Sequence, residues 1–253
     1  MSTYLGQNFL TDSKIKYWIA NKVKQMYEEL GTENLIEIWP GKWAITKLIK
    51  DISQNFLIFE KDTTFKEKLS EVLSENTNYQ IVWGDVLEAD LEQLLWMNTL
   101  VVGNLPYYIT SPILRKFFTS SFTKSPLGGL FMVQEEVGEK IRFDAKKKSY
   151  LYWLLNYEYE VQYLKTVPAK AFTPAPKIKS CLIWLKKKSE VPALSFERLL
   201  AFLDDVSPYS RKTLGKICKM LEKKEKYYPI SESLMKKRLE ELDWKDLEEI
   251  LLV

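Results

Sequence analysis

The chain has 253 residues, of which 46% are hydrophobic, enough for one full α/β domain with a small appendage and a sizeable core. No run reaches the ~18–20 uncharged apolar residues of a membrane span, and the N-terminal MSTYLGQNFLTD lacks the basic-then-apolar pattern of a secretory signal. The expectation is a cytoplasmic chain, monomeric and without membrane contact. Its two cysteines, Cys181 and Cys218, lie too far apart in sequence for a metal cluster and suit a reducing compartment. The absence of histidine removes the usual general base and the commonest zinc ligand, so no metal is expected.

The net charge of +3 is unevenly spread. Residues 1–136 carry 13 basic and 17 acidic side chains, residues 137–188 carry 12 and 4, and residues 189–253 carry 12 and 13. The central block, with Lys146, Lys147, Lys148 and Lys186–Lys188, is an electrostatic footprint for a phosphate backbone or a set of solvated loop ends.

In chain order, apolar spacing at Ile15, Ile19, Val23, Met26 and Leu30 predicts a helix over 13–30, capped by Asp12 or Ser13 and stopped by Gly31. Strands are predicted at 35–38, 56–59, 80–83, 99–102, 128–134 and 181–185, mostly separated by amphipathic segments. Short continuous apolar strands alternating with helices predict a mainly parallel sheet covered on both faces. Beyond KKKSEVPALS at 186–195, helices are expected at 195–205, 210–225, 231–241 and 243–252. The fold class is therefore α/β, with a doubly wound sheet domain over 1–187 and a small all-helical domain over 188–253.

In such sheets ligands bind at the carboxyl ends of the strands. Glu37 and the Pro40-Gly41 turn follow the first strand, Glu60 the second, Gly84-Asp85 the third, and Gly103-Asn104-Leu105-Pro106-Tyr107 the fourth. An acidic residue there can accept from ribose hydroxyls, or it can be an ordinary cap. The turn after the fourth strand carries the parts needed to hold a planar amine: an amide oxygen on Asn104, a rigid Pro106 and a flat ring on Tyr107. Phe172, in the proline-stiffened VPAKAFTPAPKIKS between Lys170 and Lys177, either stacks on a nucleobase or plugs the core beneath a loop.

Taken together, these motifs resemble the KsgA family of rRNA adenine dimethyltransferases over nearly the whole chain. The resemblance rests on LGQNFLTD at 5–12, EIWPGKWAIT at 37–46, Glu60, GDVL at 84–87, NLPYYITSPIL at 104–114, MVQEEV at 132–137, VPAKAFTPAPKIKS at 167–180 and SRKTL at 210–214. It implies a Rossmann-like methyltransferase sheet that uses S-adenosylmethionine to dimethylate the amines of two adjacent adenosines near the 3′ end of small-subunit rRNA in an assembling subunit. Carried over residue by residue, it implies Gln7, Asn8, Glu37, Trp39, Gly41, Glu60, Asp85 and Asn104 for the cofactor, with Glu60 on the ribose and Asp85 on the adenine amine. Asn104, Leu105, Pro106 and Tyr107 would hold the target amine and Phe172 the flipped base. Lys146, Lys147, Lys148, Lys170, Lys177, Arg211 and Lys212 would meet RNA. Relatives of macrolide-resistance type share these motifs and act on large-subunit rRNA.

Trp39 and Trp43 stand where that family has glycine, at positions of close backbone approach. Three explanations compete: a rearranged loop whose indole stacks on cofactor, a non-catalytic RNA-binding assembly factor, or UGA codons that the source reads as glycine. Nine glycines in 253 residues is about half the usual ~7%. Together with the eight tryptophans, they approach the ~18 glycines expected at average usage.

Overall fold

The computed structural model describes residues 8–74, 78–119 and 124–252. After the short strand β1 (Phe9–Leu10) comes helix α1 (Ser13–Glu29), whose first turn is capped by Asp12 accepting from the Ile15 N–H at 3.0 Å. It buries Ile15, Ile19, Val23 and Met26 as the spacing predicts, and the chain leaves it through Gly31 at φ +60°. The sheet strands are β2 (Asn34–Ile38), β3 (Asn55–Glu60), β4 (Tyr79–Trp83), β5 (Thr99–Asn104), β6 (Gly128–Gln134), β7 (Tyr159–Val167) and β9 (Ser180–Lys187). The two-residue β8 (Phe172–Thr173) pairs antiparallel with β1.

The seven sheet strands lie in the order β4-β3-β2-β5-β6-β9-β7, with β2 to β6 parallel and β9 antiparallel to both its neighbours. The chain runs outward from β2 through β3 to β4, then returns to β5 on the other side. The carboxyl ends of β2 and β5 therefore flank the switch point where doubly wound sheets open a crevice. Alternation along the strands separates two cores. Ile36, Ile38, Leu57, Phe59 and Val101 pack on one face, and Leu35, Phe56, Ile58, Leu100 and Val102 on the other. Helices α2 (Thr46–Ile49), α3 (Lys66–Leu73), α4 (Leu91–Leu94), α5 (Thr110–Phe118) and α6 (Glu135–Ile141) lie between the strands.

Helix α7 (Tyr150–Glu158) joins two cores: Leu151 and Leu155 enter the sheet core, while Trp153, Leu154 and Tyr157 enter a third cluster. That cluster gathers α8 (Phe196–Val206), α9 (Leu214–Glu222), α10 (Glu232–Met235) and α11 (Trp244–Leu251). The helix predicted over 231–241 is broken after α10. Lys237 gives its carbonyl to the Leu214 N–H and its ammonium to Asp246, and these tertiary bonds outweigh local helical preference. The helix predicted from 210 begins at Leu214, because a 3₁₀ turn at Ser207–Tyr209 precedes it. Strand β7 has no counterpart among the six predicted strands. It pairs on one side only, so its sequence YEVQYLKTV alternates instead of forming an apolar run. No helix among the described residues is long and apolar enough to cross a membrane.

At the switch point Ile38 pairs with Gly103, and a Cβ on Gly103 would meet the Ile38 carbonyl oxygen at 2.9 Å and Leu105 Cδ2 at 3.0 Å. Backbone cannot yield there as a flexible side chain would. Gly103→Ala is expected to lower unfolding free energy by about 1–3 kcal/mol in urea denaturation; an unchanged midpoint and slope would refute the close approach.

Candidate active site

A cavity of about 280 Å³ opens at this switch point, lined by Asn8, Glu37, Trp39, Gly41, Asn104, Leu105, Pro106, Tyr107 and Phe172 among others. The two strand ends and the β1–β8 pair thus bring together most of the residues singled out in the sequence. Gln7 lies outside the described residues. Glu60 and Asp85 are not on the cavity wall.

The Asn104–Tyr107 turn is held from several sides. Asn104 Nδ2 donates to the Asn8 carbonyl at 3.3 Å, which directs the side-chain oxygen the other way. The Leu105 N–H donates to the Met132 carbonyl at 3.1 Å, and the Pro106 carbonyl accepts from the Thr110 hydroxyl at 3.1 Å. Tyr107 Oη lies 2.8 Å from Ser180 Oγ, and burial raises its pKa against the opposing effect of that hydrogen bond. The turn is preorganised by these bonds before any ligand arrives.

Glu37 is 3% exposed, and its Oε2 has no hydrogen-bond partner. Burial pushes its carboxyl up to about 8; the nearby Thr46 hydroxyl opposes the shift without a hydrogen bond of ordinary geometry, and Glu60 reinforces it. An orphaned acceptor on a cavity wall suits a cationic ligand group such as an ammonium.

The other carboxylates are already engaged. Glu60, fully buried, accepts from the Asp62 N–H at 2.8 Å and the Gly41 N–H at 3.3 Å. Burial pushes its pKa up to about 7 against those two bonds. Asp85 accepts from the Leu87 N–H at 2.9 Å and pairs with Lys61 at 2.8 Å. Burial would raise its pKa, but these partners outweigh that and hold it below the ordinary range. Lys116 fixes the same loop by donating to the Leu87 and Ala89 carbonyls, each at 2.6 Å.

The segment over Glu60 is the unusual part of the backbone. Trp39, Gly41 and Trp43 have φ of +57°, +54° and +60°. This left-handed conformation costs an L-residue about 1–2 kcal/mol and glycine almost nothing. Trp39 is 9% exposed and packs in the cluster that contains Phe59, Val86 and Leu105. Trp43 meets Phe65 edge-on with centroids 5.7 Å apart, and its buried indole N–H has no acceptor.

Of the two readings of Phe172, the structure shows the buried one: it is 4% exposed, because β8 pairs with β1 and carries it into the core, where it also borders the cavity. Lys148 is half-buried rather than free, with its N–H on the Glu240 carbonyl and its ammonium over the Tyr152 and Trp153 rings at 6.0 and 5.8 Å. Lys186 and Lys188, in the same basic block, are tied to Glu29 and to the Asn156 carbonyl. Lys146, Lys147, Lys170, Lys177, Arg211 and Lys212 are exposed. Sequence reasoning missed Tyr108, 64% exposed on the cavity rim, although it adjoins Tyr107 in the same motif. It also missed Lys61, whose pairing with Asp85 across two strand ends has no local signature.

The family model for ribosomal RNA adenine dimethylase matches residues 1–251. The ribosomal RNA small subunit methyltransferase A of Fusobacterium nucleatum is 35% identical over 182 residues, covering 72% of this chain and 67% of that one. The 23S rRNA methyltransferase ErmE superimposes with TM-score 0.72 at 23% identity, covering 97% of this chain and all of that one. A dimethyladenosine transferase from Plasmodium falciparum does so with TM-score 0.75 at 20% identity, over 96% of both chains. At those identities the two structures establish the fold.

A carboxyl whose pKa is raised in the native chain binds its proton more tightly there than when unfolded. Its contribution to stability is full below pH 4.5 and is lost as pH rises through about 7 to 8 for Glu60 and Glu37. Glu37→Gln is expected to flatten that decline in ligand-free chemical denaturation at successive pH values, and a decline as steep as the parent's would sink the assignment.

Proposed function

The chain belongs to the ribosomal RNA adenine dimethylase family, and from that premise we propose that it methylates rRNA adenines with S-adenosylmethionine. The proposed targets are the exocyclic amines of two adjacent adenosines near the 3′ end of small-subunit rRNA, reached in the cytoplasm during subunit assembly. One observation carries this reading. The cavity joins an amine-holding turn, Asn104 to Tyr107, to an orphaned carboxylate, Glu37, at the switch point of a doubly wound sheet. The small subunit is preferred to the large because the 35% identical relative bears that name, while the likeness to ErmE is one of fold.

S-adenosylmethionine, when bound, supplies a methyl group on a positively charged sulfur. In this reading Glu37 takes its ammonium group, with Asn8 and Gly41 beside it; Glu60 and Asp85 take the ribose and the adenine amine once the loop over them opens. The Asn104 side-chain oxygen and the Leu105 carbonyl accept hydrogen bonds from the two N–H groups of the target amine, and one proton leaves to solvent with each methyl group the nitrogen takes from the donor's sulfur. Those bonds reduce the lone pair's conjugation with the ring and make the nitrogen nucleophilic without a histidine. Tyr107 and Phe172 offer flat surfaces to the base inside the cavity, so Phe172 acts from the wall and not from an exposed loop. Residues 1–187 carry the transfer, and residues 188–253 form the helical unit that supports RNA contact. Lys146, Lys147, Lys170, Lys177, Arg211 and Lys212 meet phosphates in a salt-dependent manner.

The test is incorporation of labelled methyl groups into undermethylated small-subunit and large-subunit particles offered side by side, with glycine placed at 39 and 43 to open the loop. Label is expected on adenines of the small-subunit rRNA, and Asn104→Ala is expected to cut turnover at saturating donor by about 10²–10³-fold. Label confined to large-subunit rRNA would overturn the substrate; equal turnover by Asn104→Ala would overturn the amine-holding role.

A further inference from the structure

We infer that positions 39 and 43 are glycine in the protein its own cell makes, encoded by UGA codons read there as glycine, and that tryptophan at 39 plugs the adenosine half of the site with its own indole. The inference rests on the methyl-donor reading above for what the plug displaces, but its first support is backbone geometry alone.

Residues 39, 41 and 43 form an alternating left-handed series at +57°, +54° and +60°, and the middle member is already glycine. Such a series is a glycine pattern, since a Cβ at each position carries the conformational cost that glycine avoids. Among the described residues only four without glycine have positive φ: Trp39, Trp43, Asn98 and Glu225. Asparagine tolerates that region through its short polar side chain. Tryptophan has no such accommodation, yet two of the four are tryptophans two residues either side of a left-handed glycine.

All eight tryptophans lie among the described residues, and Trp18, Trp83, Trp96, Trp153, Trp184 and Trp244 have ordinary backbone. Buried orphan indoles do not single out the loop either, because Trp153 and Trp184 share that feature with Trp43. The low glycine content therefore belongs to the chain's composition, and the backbone assigns glycine at two positions, not eight.

The consequence for the site follows from what Trp39 packs among. Phe59 immediately precedes Glu60, Val86 immediately follows Asp85, and Leu105 immediately follows Asn104; Trp39 belongs to their cluster. Trp39 N–H is tied to the Phe59 carbonyl beside Glu60, and its buried side chain lines the cavity, so the indole takes up space at the β3 end of the site. The cavity reaches Lys61, which pairs with Asp85, but neither Glu60 nor Asp85 is on its wall. Glycine at 39 removes the ring, and glycine at 43 removes the packing against Phe65 that holds the loop down.

Two measurements test this together. The coding triplets at 39 and 43 are read from the gene, and S-adenosylmethionine is titrated by calorimetry into the chain and into its Trp39→Gly/Trp43→Gly variant, with thermal unfolding to verify that both are folded. UGA at both positions and affinity raised about tenfold or more in the glycine variant are expected. UGG at either position overturns the recoding whatever the titration shows, and equal affinity of the two proteins overturns the plug. UGA at both positions with a folded glycine variant that binds no S-adenosylmethionine upholds the recoding and counts against the methyl-donor reading.

Discussion

The contact on which the site depends is the close approach of β5 to β2 at Gly103, where the backbone passes the Ile38 carbonyl with no room for a side chain. This pairing sets the carboxyl ends of β2 and β5 abreast at the point where the chain's winding reverses direction. Glu37 and Asn104 then face one crevice although 67 positions separate them. Strand alternation completes the placement: with Ile36 and Ile38 committed to one core, Glu37 must lie on the opposite face with Leu35. A carboxylate forced to that position by its neighbours is buried by the fold rather than by its own preference, which is why one of its oxygens has no partner.

The electrostatics of the crevice divide it into two halves. On the β5 side, the hydrogen bonds of Leu105 and Pro106, and that of Asn104 Nδ2 to Asn8, fix the turn and leave the Asn104 side-chain oxygen directed away from Asn8. On the β3 and β4 side, the acceptors are engaged: Glu60 by backbone N–H groups and Asp85 by Lys61 and Leu87. The Gly41 N–H reaches Glu60 only because the 39–43 segment folds down in its left-handed series. Loop conformation and carboxylate occupancy are thus one event. Separating Gly41 from Glu60 would free one of its acceptor oxygens and expose a carboxyl whose pKa burial now raises.

Much of the sheet was legible because parallel strands covered on both faces must be apolar along their length, as LIEI, FLIF and TLVV are. Their carboxyl-end residues were legible with them, since the fold class places ligands there. What stayed hidden depends on partners remote in sequence. The burial of Phe172 follows from Leu10, its partner in the β1–β8 pair, and the restraint on Lys148 follows from Glu240. Strand β7 was hidden for the opposite reason, because an edge strand with polar alternation carries no continuous apolar signal.

The loop at 39–43 is a third case, in which side chains and backbone carry contradictory information. Residue type at 39 and 43 indicates bulky aromatics with ordinary torsions, while the flanking Pro40 and Gly41 and the strand end at Ile38 require a tight return over Glu60. The structure resolves the conflict in favour of the backbone, keeping the return and placing both indoles on left-handed residues. The surrounding chain therefore over-determines the turn: Trp39 N–H is fixed to the Phe59 carbonyl at 2.9 Å and Trp43 N–H to the Pro40 carbonyl at 2.9 Å, whatever side chains these positions bear. Residues that fit their backbone are specified by it, and these two are only tolerated, which is the physical mark of a position shaped for glycine.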